Sequence, residues 1–357
     1  MGINLSAERQ VEETKNIIAT LEQYKRENYD LVVVVIPGRG TTYADIKQKA
    51  ELVCGLLTQC IKEQTLSRGI REQLLSNLLL KVNSKLNGTN HKISSATHIV
   101  LDHPMFMGAD VTHPSPDQRH IPSVVGVAAS HDLDGASYNM QYRLQQSTKE
   151  EIDDMQSISR HHLKVYFQRQ KCYPNHIIYY RDGVSDGQFQ KVEQFELGAI
   201  RAVCKELRFS PKITCIIVVK RHHTRFFPII KTTDSFNNVL PGTVVDQKIV
   251  HPNETQFFMV SHQSIQGTAK PTRYNVIVDD AKFTMDQLQQ MTNNLCYMFP
   301  RCNRAVSYPA PAYLAHLVAA RGRVYIEGPP LKRSLPEEYK RRLINENFMN
   351  NTPMFFV

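Results

Sequence analysis

Met105-Phe-Met-Gly-Ala-Asp110 and His176-Ile-Ile-Tyr-Tyr-Arg-Asp182 are two short apolar runs, each closed by a carboxylate. Runs of this length, bounded by turn residues, read as buried strands of an α/β sheet. Neighbouring parallel strands present their carboxyl ends at one edge, so two aspartates there can converge on one site. A third group, His316, lies in Pro311-Ala-Tyr-Leu-Ala-His316-Leu317, a stretch that reads as helix. Hard divalent cations take oxygen ligands gathered from separate elements, and a pair of ions can clamp the attacking and leaving oxygens of a phosphodiester. Singly, each group has a plainer reading. An Asp after a strand is usually a turn former or a helix cap, and a His on an apolar helix is usually a satisfied core residue. Asp110, Asp182 and His316 together point to metal-dependent phosphodiester chemistry.

Working outward from these runs, the chain reads as two domains, as its 357 residues suggest. Residues 6–27 have mixed helical periodicity. Leu31 to Ile36 is a buried strand stopped by Pro37-Gly-Arg-Gly40, and Tyr43 to Cys60 and Ile70 to Leu86 read as amphipathic helices. This small α/β unit ends near residue 95. Beyond it, Met105 to Ala109, Ser123 to Ser130 and Ser137 to Leu144 read as an antiparallel meander, followed by a helix over Lys149 to Gln168. The strand His176 to Tyr180, a helix over Gly187 to Leu207 and the strand Ile213 to Val219 complete the order of an RNase H-like α/β fold. Further strands are expected at Thr255 to Ser261 and Tyr274 to Val278, and helices at Met285 to Met298 and Pro311 to Gly322. Asp186-Gly-Gln reads as the cap of the helix after Asp182, so Asp182 is preferred to Asp186 as the ligand.

Charge narrows the partner. Lys and Arg total 43 against 34 Asp and Glu, a net charge of +9 that suits a polyanion. The excess is concentrated at Lys220-Arg-His-His-Thr-Arg225, Arg301 to Arg304, Arg321 to Arg323 and Lys332 to Arg342. Met1 to Thr14 is largely polar and unlike a signal peptide, and Val32 to Ile36 is too short to span a bilayer. Seven cysteines without a CxxC pair give neither a disulfide framework nor a zinc ribbon, so reduced thiols in a cytosolic or nuclear protein are expected.

Lys81 and Lys85 lie one helical turn apart, a repulsive spacing unless an anion sits between them. Tyr43 and Lys47 repeat the spacing and put a ring beside a cation. A solvated basic face explains Lys81 and Lys85 as well. An aromatic to stack a base plus lysines to hold phosphate is also what a nucleic-acid end pocket requires. Adjacent His222 and His223 point apart and make a poor zinc pair, so Lys220 to Phe227 reads as backbone contact.

Gly108-Ala-Asp-Val-Thr-His-Pro114, Tyr180-Arg-Asp-Gly-Val-Ser-Asp-Gly-Gln188, Val219-Lys-Arg-His-His-Thr-Arg225, Ile265-Gln-Gly-Thr-Ala-Lys-Pro271 and Pro309-Ala-Pro-Ala-Tyr-Leu-Ala-His-Leu317 strongly resemble the PIWI domain of eukaryotic Argonautes. Ile46-Lys-Gln-Lys-Ala-Glu-Leu52 with Leu57-Thr-Gln-Cys-Ile-Lys62 is similar to the MID domain. The combination, with Pro353-Met-Phe-Phe-Val357, is closest to the insect siRNA-class members. The resemblance covers nearly all of the chain after about residue 28. It implies a Rossmann-like MID domain over residues 1–95 and an RNase H-like PIWI domain over residues 96–357.

By the same resemblance, the catalytic set is Asp110, Glu150, Asp182 and His316, with Glu151 competing with Glu150, and the metal is Mg²⁺ with Mn²⁺ as a substitute. The guide's 5′ phosphate falls to Tyr43, Lys47, Gln59, Lys81, Lys85 and Arg321. The guide backbone falls to Lys220, Arg221, His262, Lys270, Arg301, Ser307 and Tyr313. The turn Gly38-Arg-Gly-Thr-Thr42 stands where the first guide base is read. The implied partners are a guide small RNA of the siRNA or miRNA class, a complementary target RNA, Dicer and guide-loading factors, and Gly-Trp-repeat silencing proteins, in the cytoplasm and off the membrane. Family members carry N-terminal and PAZ domains ahead of MID, with no counterpart in these 357 residues. Two functions stay open: a guide-directed endoribonuclease leaving 3′-hydroxyl and 5′-phosphate ends, and a guide-binding silencing module that recruits partners without cutting.

Overall fold

The computed structural model describes residues 16–37, 42–69, 71–93, 101–230, 232, 234 and 236–357. The turn at 38–41 and the expected domain boundary near residue 95 lie outside the described residues.

The first unit opens with α1 (Ile17–Arg26), whose Ala19 N–H is capped by the Asn16 side chain. β1 (Val32–Ile36) pairs in parallel with β2 (Thr58–Lys62). Between them, α2 (Thr42–Lys47) continues into a π-helical turn, Gln48–Cys54. The helix expected over Tyr43 to Cys60 therefore ends early. Gly55 takes a left-handed φ of +63° at the helix end, and the following residues supply β1 with the strand partner its backbone groups need. α3 (Glu63–Ser67) and α4 (Glu72–Lys85) follow. Leu21, Ile36, Ile46, Ala50 and Leu56 form the core of this unit.

The second unit is built on eight strands: β3 (Pro104–Thr112), β4 (Ser123–Ser130), β5 (Tyr138–Gln145), β6 (His176–Asp182), β7 (Lys212–Val219), β8 (Thr243–Val245), β9 (Thr255–Val260) and β10 (Thr272–Asp279). Their order is β5-β4-β3-β6-β7-β10-β9-β8. β3 to β5 form the expected antiparallel meander, β3, β6 and β7 run parallel, and β7 to β10 is antiparallel. α5 (Met155–Gln170), the run of α6 (Phe189–Lys191), a π-helical turn Val192–Leu197 and α7 (Gly198–Glu206), then α8 (Met285–Tyr297), α9 (Ala310–Tyr325), α10 (Leu335–Lys340) and α11 (Glu346–Asn351) complete the unit. No helix among the described residues is long and apolar enough to cross a membrane.

Strand periodicity assigns the two faces. Met105, Met107 and Ala109 of β3 share a core with Ile177 and Tyr179 of β6, Leu163 of α5 and Val203 of α7. Phe106, Ile178 and Tyr180 belong to the opposite core, with Leu314 and Val318 of α9. Side chains alternate along a strand, so Asp110 and Asp182 fall on the α9 face. α9 comes close because β3 has no side chain at Gly108, where a Cβ would stand 2.0 Å from the Pro311 carbonyl oxygen.

Candidate active site and candidate nucleic-acid pocket

Ala109 of β3 and Arg181 of β6 are register partners, which sets Asp110 beside Asp182. Asp182 is the last residue of β6, whereas β3 runs two residues past Asp110, which pairs with Gly126 of β4. His316, in the middle of α9, brings Nδ1 within 2.8 Å of Asp110 Oδ2. That bond and the Asp110 charge raise the imidazole pKa against the opposing effect of burial. Burial also raises the Asp182 pKa, partly offset by Lys220 and reinforced by Asp110.

Glu150 lies on the loop between β5 and α5, because α5 begins at Met155 and not at Lys149 as expected. Its carbonyl accepts a hydrogen bond of 2.6 Å from Arg181 Nη2, and its Oε2 lies 2.7 Å from His113 Nε2. Its Oε1 is 3.0 Å from Arg181 Nη1, yet no aligned hydrogen bond reaches this buried oxygen. Gly183 has a φ of +90°, and a Cβ there would stand 3.7 Å from both Glu150 Oε1 and Asp110 Oδ1. The two oxygens therefore border the same space. Glu151 instead pairs with Lys191 on the outside.

Asp110, Glu150, Asp182 and His316 thus gather at the carboxyl edge of β3 and β6. As placed, no three His, Cys, Asp or Glu side chains among the described residues close around one point tightly enough to hold a metal ion. His316 is engaged with Asp110, and Lys220 Nζ lies 3.4 Å from Asp182 Oδ2. The residues fit a hard cation by donor type: carboxylate oxygens, an imidazole and one buried oxygen without a hydrogen bond. Three supports are absent from the sequence reading: fully buried Arg181, its partner Glu196 at 3.1 Å, and His113. An arginine inside the apolar run His176 to Asp182 is the one signal that could have exposed Arg181, since a buried arginine demands carboxylates. Asp186 pairs with Arg273 while Ser185 forms the capping box with Gln188, so the cap residue is Ser185.

The second site is a cavity of about 340 Å³ lined by Tyr43, Lys47, Gln59, Lys81, Lys85 and Arg321, together with Cys60, Arg301, Leu317, Val324, Phe356 and Val357. All six residues expected at a phosphate pocket meet there. Lys47 Nζ donates to the Thr58 carbonyl at 2.9 Å and to Thr58 Oγ1 at 2.8 Å. Lys85 Nζ donates to the same carbonyl at 3.1 Å and to Gln59 Oε1 at 2.9 Å. Two ammonium groups on one carbonyl crowd positive charge. Burial lowers the pKa of Lys47 and, further, of Lys85, and brings Lys81 down to about 8. Glu51, unforeseen in the sequence, is the buried counter-charge: it pairs with Arg321 and with Lys47 at 3.3 Å and accepts from Tyr325 Oη at 2.6 Å. Burial raises the Glu51 pKa, but Arg321 and Lys47 outweigh it and the net shift is downward.

The residues expected along a guide backbone divide. Arg301 lines the cavity. Tyr313 stacks on Tyr308 at 4.6 Å, and Lys220 Nζ sits 3.5 Å above the Tyr308 ring while reaching Asp182. Lys220 is therefore a neighbour of the carboxylates. Ser307 accepts through its carbonyl from the hydroxyl of Thr272, the first residue of β10, at 2.6 Å, and His262 and Lys270 are half-buried on the loop between β9 and β10. Arg221 is exposed.

Residues 11–327 match the family model of the Piwi domain. The whole chain is 58% identical, over 365 aligned residues, to Protein argonaute-2 of Drosophila melanogaster, of which it covers 30%. It is similar in fold to the crystal structure of Kluyveromyces polysporus Argonaute with a guide RNA, with a TM-score of 0.87 and 29% identity over 97% of this chain and 44% of that one. Against the C-terminal lobe of a budding yeast Argonaute the TM-score is 0.85 and the identity 28%, over 95% of this chain and 72% of that one. The chain spans 30–34% of the length of the curated relatives it matches. With its RNase H-like α/β architecture and its likeness to Argonaute MID-PIWI lobes, the chain belongs to the Piwi domain family of Argonaute proteins.

Proposed function

We propose that this chain binds the 5′-phosphorylated end of a guide RNA and cleaves paired target RNA as a Mg²⁺-dependent endoribonuclease. The observation that carries this reading is that α9 serves both sites: His316 stands at the carboxylates, and Arg321, Leu317 and Val324 line the cationic cavity. A single rigid helix thereby sets a fixed spacing between the end pocket and the cutting centre.

Lys47, Lys81, Lys85 and Arg321 would hold a terminal phosphate, and Tyr43 would stack on the first base. Asp110, Glu150 and Asp182 would hold the metal, with His316 completing the set once it turns from Asp110 and Lys220 releases Asp182. Bound Mg²⁺ would supply positive charge at the attacking and leaving oxygens of the phosphodiester. Dicer and guide-loading factors would deliver the guide, and Gly-Trp-repeat proteins would act on the loaded chain in the cytoplasm.

The test incubates the chain with a 5′-phosphorylated guide and a labelled complementary target, with and without Mg²⁺. Wild type should cut only with the ion. Asp110→Ala and Asp182→Ala should bind guide and not cut. Lys81→Glu with Lys85→Glu should weaken a phosphorylated guide far more than a 5′-hydroxyl guide, at about 1.5–3 kcal/mol per charged hydrogen bond lost. Guide binding without cutting by the wild type would leave the non-cleaving silencing module as the function. Retained cutting in either aspartate variant would remove the catalytic assignment.

A further inference from the structure

At the amino-terminal ends of β3 and β6, opposite the carboxylates, a thiol, an imidazole and a carboxylate stand in line. Cys172 Sγ lies 3.3 Å from His103 Nδ1, and His103 Nε2 lies 3.7 Å from Asp102 Oδ1. One ring nitrogen thus faces sulfur and the other faces carboxylate, the arrangement that lets an imidazole take a thiol proton.

The surroundings hold the three in place. The Asn175 side-chain amide donates to Asp102 Oδ2, and the Asn175 backbone N–H donates to the His103 carbonyl at 3.1 Å. Pro104 and His176, the next residues along each strand, are register partners. Tyr173, next to Cys172, stacks on Phe209 with ring centres 4.4 Å apart. Phe209 also lines a cavity of about 510 Å³ with Arg201, Lys205 and Arg208. Cys204, and not Cys172, lines that cavity, and its cations reach the thiol only through the Tyr173–Phe209 stack, with Arg201 partly neutralised by Asp280.

The other cysteines differ. Cys204, Cys215 and Cys296 are buried, and burial pushes the thiols of Cys54 and Cys60 up. Cys302 is comparably accessible, but its sulfur meets the Arg304 carbonyl instead of an imidazole.

We infer that Cys172 is a reversible modification site that undergoes exchange with low-molecular-weight disulfides, with His103 as its base and Asp102 orienting His103. The Cys172 proton passes to His103 Nδ1, and the thiolate attacks one sulfur of the disulfide. A new S–S bond forms as the old one breaks, and the departing thiolate takes the proton from His103. One disulfide is consumed, and one mixed disulfide and one thiol are produced. About six residues of strand separate the site from Asp110, roughly 20 Å, so modification would alter this surface and not the cutting centre.

The test treats the full chain with oxidised glutathione and locates mixed disulfides by peptide mass spectrometry, with Cys302 as internal reference. Cys172 should be modified at least about tenfold faster than Cys302 and be restored by dithiothreitol. His103→Gln should remove that advantage while Cys302 is unchanged. Iodoacetamide, which alkylates the thiolate without any disulfide exchange, should report the same His103 dependence. Equal rates at Cys172 and Cys302 in the wild type, a comparison that needs no variant to fold, would overturn the inference. An unchanged Cys172 rate in a His103→Gln protein of normal melting temperature would do the same.

Discussion

Glu150 and Glu151 are chemically identical neighbours with different surroundings. Glu150 Oε1 borders the space beside Asp110, while Glu151 pairs with Lys191 at the exterior. Glu150→Gln should abolish guide-directed cutting with guide affinity retained. Glu151→Gln should leave cutting within about twofold, since an exposed ion pair is worth about 0–1 kcal/mol. A cleavage assay on the two proteins decides it, and an essential Glu151 would move the active carboxylate by one residue. Nothing in the pair itself distinguishes them; what does so is the loop, fixed by Arg181 gripping the Glu150 carbonyl. Glu51 was hidden for a related reason. Lys47 and Glu51 have the spacing of an ordinary surface pair, and only Arg321, arriving 270 residues later, turns them into a buried network.

At the scale of elements, α9 and β3 form the contact on which the site depends. Gly108→Ala puts a methyl 2.0 Å from a backbone carbonyl, which cannot swing aside as a flexible side chain would. The helix must shift, at a cost of roughly 1–3 kcal/mol from overpacking. The variant should melt several degrees lower and lose cutting together with part of its guide binding, because the shifted α9 carries His316 off Asp110 and Arg321 off Glu51 while the lysines of α4 stay. Thermal melting and guide titration together check this, and an unchanged melting temperature would show that the contact yields easily. Most elements were legible because their apolar periodicity is strong: Ser123–Ser130 has the expected bounds, and β6 begins at the expected His176. β2 was not. Thr58 to Lys62 carries no strong alternation, and its strand character comes from pairing with β1.

Across the whole molecule, a buried histidine group sets the acid limit. His162 Nδ1 meets Asn139 Oδ1 at 2.6 Å, and His161 packs edge-on against His162. Burial lowers the His131 and His161 pKa values to about 4, helped at His131 by Arg169 and at His161 by Arg143 and Lys164; His162 is lowered as well. Unfolded histidines titrate near 6.5, so below that pH the unfolded chain binds more protons than the folded one. Stability is therefore complete above about 6.5 and falls as the pH drops towards 4, by up to about 1.4 kcal/mol per pH unit for each histidine. Melting temperature should drop between pH 6.5 and 5, and His161→Phe should flatten that slope. A flat wild-type profile would count against it. By itself the sequence determined the α/β class, the aspartate that closes β6, the strand carrying Asp110, the lysine pair one turn apart and the net positive charge, because these depend on local periodicity and composition. Tertiary structure alone decided that His316 meets Asp110, that Glu150 and not Glu151 faces it, that Lys220 reaches Asp182 and that Glu51 underlies the cavity. Those are contacts between residues tens to hundreds of positions apart, set by strand register and helix approach, which no local pattern encodes.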